Sequence, residues 1–169
     1  MKKVFMVLEL CFFLSMIFVV EAMAQLPKEG QSSATLGYSG TFKVLPMGQE
    51  RAQMTYEVFG VYISDTGEGI FHNSSFRCLG AQHIVRGAYE DDSGFCVYTL
   101  PDGDQAFQTY KATGKMGAGG KGTAVLVGGT GKLKGIQGTA EFTRFNTLKP
   151  AAEGTFQGYN RAKSSYKLP

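Results

Sequence analysis

The sequence predicts an all-β fold of antiparallel strands, a sandwich or a closed barrel, and three observations carry that prediction. Short runs rich in aromatic and β-branched residues recur along the chain from Ser39 onward. Clusters of Gly, Asp and Pro separate them at near-regular spacing, each with the backbone chemistry of a turn. No segment after the first 24 residues sustains the apolar period of an ordinary helix. Ten glycines between Gly114 and Gly138 disfavour one further, each costing about 1 kcal/mol relative to alanine in a helix.

The first element lies outside the barrel. Lys2 and Lys3 precede an apolar run that ends at Val20, and Ala22-Met23-Ala24 supplies small residues for cleavage before Gln25. This is the pattern of a secretory signal peptide over residues 1–24. Its uncharged part, Leu10 to Val20, has 11 residues, against the roughly 20 that a spanning helix needs. The reading is an exported protein, periplasmic or extracellular, with no stable membrane insertion after cleavage. Losing 24 of 169 residues leaves 145, enough for one domain with a real core. The net charge stays at +3, and the basic residues are scattered; a nucleic-acid partner would call for a clustered patch or stripe.

Residues 25–38 are polar, with Gly, Ser and Pro and no period, and read as a flexible N-terminal arm. The barrel domain is expected over 39–169. Its strand candidates are Thr41 to Leu45, Met54 to Ser64, Ser75 to Leu79, His83 to Ala88, Gly94 to Leu100, Ala106 to Thr113, Gly122 to Val127, Gly138 to Phe145 and Thr155 to Tyr166. The turns expected between them include Asp65-Thr66-Gly67, Asp91-Asp92-Ser93-Gly94, Pro101-Asp102-Gly103-Asp104 and Lys149-Pro150.

In the second candidate, Thr55 and Glu57 share a face with Phe59, Val61 and Ile63, while Met54, Tyr56, Val58 and Tyr62 form the other. Both faces are largely apolar, as in a strand covered on both sides or lining a cavity. Tyr56, Val58 and Tyr62 are therefore the ligand-binding candidates. Small barrels are commonly filled by their own side chains, and a filled core is the competing arrangement.

Cys11 leaves with the signal, and Cys78 and Cys96 remain as an even pair in an oxidising compartment, which predicts a disulfide. No metal site is expected, because His72 and His83 are the only imidazoles and lack finger-type spacing. Asp102-Gly103-Asp104 reads as a hairpin turn and not as a calcium loop. The two histidines have no nucleophile-elbow sequence near Ser74-Ser75. Asn73-Ser74-Ser75 fits a glycosylation acceptor, which matters only in a host that glycosylates exported proteins.

The stretch LVGGTGKLKGIQGTAEF, residues 126–142, invites comparison with phosphate loops. It fails the comparison: Gly131-Lys132 is followed by Leu133, and the residue five before Gly131 is Leu126. The glycine spacing from Gly117 to Gly122 matches a dinucleotide fingerprint by count, yet a β-branched run follows where a helix must start. No cofactor is expected. The stretch reads instead as strand, glycine turn and returning strand.

Gly128, Gly129, Thr130, Gly131, Leu133 and Gly138 resemble the glycine-loop motif of allene oxide cyclase-like and dirigent-like β-barrels, and of exported bacterial proteins of similar length. The specific likeness covers about residues 122–145. It implies a single eight-stranded antiparallel barrel of lipocalin-type architecture, often a homo-oligomer, with an apolar cavity. Plant members of that group guide cyclisation or coupling of hydrophobic molecules. Their polar residues have no matching motif here, so Glu57, Glu141, Arg77 and Arg144 are candidates by residue type alone, and cross-strand charge pairing is their simpler role. Two function classes follow. The first is a non-catalytic barrel that binds a small hydrophobic molecule or serves a structural role; the alternative is a cyclase or isomerase acting by confinement, which requires a buried carboxylate or basic group at an apolar cavity.

Overall fold

A computed structural model describes residues 26–146 and 149–169; the expected signal segment lies outside the described residues. Eight antiparallel strands close into one barrel: β1 (Glu29–Pro46), β2 (Arg51–Ser64), β3 (Ser74–Val85), β4 (Ala88–Thr99), β5 (Gln105–Lys115), β6 (Gly119–Gly129), β7 (Gln137–Asn146) and β8 (Thr155–Lys167). Each strand pairs with its sequence neighbour, and β1 closes the ring against β8. The only helix among the described residues is a 3₁₀ turn, Gly131–Leu133, and none is long and apolar enough to cross a membrane.

The alternation expected in β2 is present: Met54, Tyr56, Val58 and Tyr62 are buried inside, while Phe59, Val61 and Ile63 face outward and are exposed. Both faces are apolar, but only the inner one is covered within this chain.

The segment expected as a flexible arm, residues 25–38, is not one over its described residues, 26–38. Glu29 to Tyr38 form the first half of β1 and pair with β8 along their whole length. The inward positions there begin with Gly30, Ser32 and Ala34, which are small, and only Leu36 and Tyr38 are bulky. A strand gripped on both edges needs little apolar signal of its own, because its backbone hydrogen bonds come from its neighbours.

The turn expected at Asp91-Asp92-Ser93-Gly94 is likewise absent. These residues lie inside β4, and the candidates Ser75 to Leu79 and His83 to Ala88 belong to the β3–β4 hairpin. Its turn is Arg86-Gly87, with φ of 51° and 76°, the positive pair required by a type I′ turn. Acidic and glycine residues sit within β4 because it carries a bulge. Two residues separate Tyr89 from Asp92, where one separates their β5 partners Gly114 and Ala112. The extra residue lets Tyr89 and Asp92, of opposite parity, both point inward.

One end of the barrel is closed by Phe71, Leu100, Leu133, Ile136 and Leu168, all buried. The GGTG segment makes this plug: Gly128 and Gly129 end β6, Thr130 accepts the Gln105 amide at 2.8 Å, and Leu133 drops into the barrel with no exposed surface. Gly131 has φ 49°, and a side chain there would strike the Asp104 carboxylate, which holds the Lys132 amide at 2.9 Å. Gly131→Val is expected to lower stability by about 1–3 kcal/mol; a denaturation midpoint equal to that of the unsubstituted chain would contradict this placement.

Candidate functional site

The interior is built by pairing large rings with glycine. Gly80 and Gly94 face each other across β3 and β4, and a Cβ at Gly80 would come within 2.6 Å of the Tyr56 ring carbon and oxygen. Gly114 and Gly120 likewise clear the Tyr89 hydroxyl, and Gly122 clears Phe142. These inward glycines open the volume that the aromatic side chains occupy.

Toward the end opposite the plug, the cleared space holds a polar cluster. The carboxylate of Asp92, with no exposed surface, accepts from Arg144 Nη1 at 2.6 Å on one oxygen and from the Tyr56 hydroxyl on the other. Tyr56 and Tyr110 share a hydrogen bond of 2.5 Å. The Arg144 side chain is 14% exposed, and its guanidinium lies over the rings of Tyr89 at 6.0 Å and Phe142 at 5.8 Å. Those contacts add cation–π attraction to the ion pair. Burial by itself would lower the pKa of Arg144, but the Asp92 carboxylate and the phenols of Tyr56 and Tyr38 together raise it above the ordinary value. The cation is fixed.

Two cavities flank this cluster. The inner one, about 80 Å³, reaches from Tyr38 and Tyr110 down past the Cys78–Cys96 disulfide to Phe71 and Tyr98. The outer one, about 160 Å³, is the open mouth, bordered by Arg144, Tyr89, Tyr56, Phe42 and Met116. Tyr38 borders both and donates to Asn146 Oδ1 at 3.0 Å. The mouth is close to the roughly 150 Å³ that accommodates a benzene-sized ring, and the inner cavity is smaller.

Of the three ligand-binding candidates, Val58 and Tyr62 line the inner cavity and Tyr56 belongs to the cluster and the mouth. The structure does not bring the four charged candidates together. Arg77 and Glu57 make an outward pair at 2.5 Å, and Glu141 is exposed on β7. Arg144 alone turns inward. Sequence reasoning missed Asp92, Tyr110 and Tyr89, although inward glycines on neighbouring strands at Gly80, Gly94, Gly114 and Gly120 mark the space they fill. Among the described residues no group of three or more metal-ligating side chains occurs.

The phenols set a pH dependence. Burial pushes Tyr38 and Tyr110 up to about 12, and burial also raises Tyr56, Tyr89 and Tyr98. In the unfolded chain a phenol ionises near 10, so unfolding above that pH releases protons that the folded barrel retains. The stabilisation is complete below about pH 10 and is lost as pH rises toward 12 and beyond. Alkaline ultraviolet titration is expected to show these tyrosines ionising late, together with loss of fold; reversible ionisation of all of them near 10 with the barrel intact would contradict it.

No family model and no curated protein matches the chain. Among solved structures it is similar to the pterocarpan synthase dirigent protein GePTS1, at 11% sequence identity over 88% of this chain and 98% of that one, with a TM-score of 0.46.

Proposed function

We infer that this protein is an exported barrel that binds a small, mainly hydrophobic molecule through its mouth. The observation that carries the reading is the Arg144 guanidinium, held by Asp92 beneath an aromatic opening of about 160 Å³. An apolar pocket with a few fixed polar groups is the usual form of a small-molecule site. A ring of the ligand fits among Phe42, Tyr89 and Met116, and an acceptor oxygen on it fits the guanidinium, which has five N–H donors and uses one on Asp92. The disulfide is in keeping with an oxidising compartment. The exposed outward Phe59, Leu79 and Phe95 favour a homo-oligomer.

A second reading, a cyclase or isomerase acting on a confined hydrophobic substrate, is favoured by the same buried pair. A fixed cation in a water-poor pocket stabilises negative charge developing on a substrate oxygen, a large effect where solvent is excluded. The likeness of the glycine-loop motif to allene oxide cyclase-like and dirigent-like barrels agrees with it.

Native mass spectrometry of the mature protein, purified without reductant, tests the binding reading. A co-purifying small mass that falls away on activation, and that is missing from Arg144→Met, is the expected result. A bare mass in both proteins, with no uptake of added aromatic carboxylates, would overturn it; the same spectra report the oligomer.

A further inference from the structure

The direction of the hydrogen bonds in the cluster is fixed by its chemistry. A carboxylate in an ion pair only accepts, so Tyr56 donates its single hydroxyl proton to Asp92. Having spent that proton, Tyr56 accepts in its 2.5 Å contact with Tyr110, and Tyr110 is the donor there. Tyr110 has then spent its own proton too. Tyr110 lines the inner cavity, and its oxygen has lone pairs but no hydrogen to offer.

We propose that the inner cavity is a donor-reading subsite, taking a hydroxyl or N–H group of the bound molecule against Tyr110 Oη, with its polarity imposed by Asp92 through Tyr56. The proposal rests on the binding reading and extends it: the ligand is oriented, acceptor oxygen at Arg144 in the mouth and donor group inward. Asp92 and Tyr56 act as positioning residues, since neither needs to touch the donor. Gln108 is the counterweight. Its side-chain oxygen accepts from Tyr98 at 3.2 Å, so its amide N–H groups remain as donors in the same cavity wall. Any test must cancel its contribution.

Pyrrole and furan supply that test. They are five-membered rings of nearly the same shape, one carrying an N–H donor and the other an oxygen acceptor. Affinities are read by NMR titration of the oxidised protein, as the ratio of the furan Kd to the pyrrole Kd. Tyr110→Phe keeps the ring and removes the acceptor, so the ratio is expected to fall roughly threefold to tenfold from that of the unsubstituted protein, the effect of one net hydrogen bond. In Asp92→Asn the new amide donates to Tyr56, Tyr56 to Tyr110 and Tyr110 into the cavity, so the ratio is expected to fall further. Gln108 is the same in each protein and drops out of the change in ratio. A ratio unmoved by Tyr110→Phe overturns the proposal while leaving the binding reading in place. No binding of either ring, together with a bare native mass, overturns both. If Asp92→Asn fails to fold, Tyr110→Phe decides alone.

Discussion

Arg144→Met is expected to cost the barrel about 3–5 kcal/mol, because it strands a charge and does not merely remove a contact. Asp92 has no exposed surface and two partners, Arg144 and Tyr56. Without the guanidinium its carboxylate keeps one hydroxyl donor in a ring of phenols, far from water. A domain of this size is stable by only about 5–15 kcal/mol, so the loss is a large fraction of the total. The double variant Asp92→Asn with Arg144→Met removes both charges and is expected to recover most of that loss, because what destabilises the single variant is the unpaired ion. Urea denaturation of the two single variants and the double variant forms a double-mutant cycle. A loss below about 1 kcal/mol in Arg144→Met would mean that the pair is solvated, as surface ion pairs are. The same outcome would weaken the functional reading, which depends on a cation fixed and mostly buried at the mouth.

The all-β class and most strand positions were legible because every strand from β2 onward carries aromatic or β-branched residues on one face or the other, with Gly, Asp or Pro between strands. The disulfide was legible from cysteine number and compartment, and Cys78 and Cys96 prove to be direct partners across β3 and β4. Two features were not legible, for one shared reason. The start of β1 and the bulged part of β4 are held by their neighbours, so small or acidic residues such as Ser32, Ala34 and Asp92 occupy positions that a local pattern assigns to an arm or a turn. Asp92 was hidden most effectively, since Asp-Asp-Ser-Gly is good turn chemistry in isolation. Its true role is visible only once Tyr56 on β2, Tyr110 on β5 and Arg144 on β7 have converged on it, and strand pairing alone brings those residues together. Arg144 was singled out by type, yet nothing in its flanking sequence separates an inward arginine from the outward Arg77.

Removing the disulfide, as Cys78→Ala with Cys96→Ala, is expected to lower stability by about 3 kcal/mol in the chain-entropy model, a drop in Tm on the order of 10 °C. The sequence separation of 18 residues sets that figure; both sulfurs are buried in the inner cavity wall. The more informative consequence concerns register. Next to the Cys78–Cys96 pair stands Gly80 opposite Gly94, a rung without side chains, and beyond it the bulge between Asp92 and Tyr89. Glycine pairs specify register weakly, and a slip of one residue turns every following side chain to the other face. Cys96 and Asp92 share a face four residues apart, so the cross-link holds β4 in the register that points Asp92 at Arg144. Loss of the disulfide is therefore expected to loosen β4 more than the opposite wall, with amide hydrogen exchange accelerating at Gly94 and Cys96 well before β7 and β8 respond. Uniform acceleration around the barrel would mean that the cross-link contributes chain entropy alone, and that the bulge holds Asp92 inward without it.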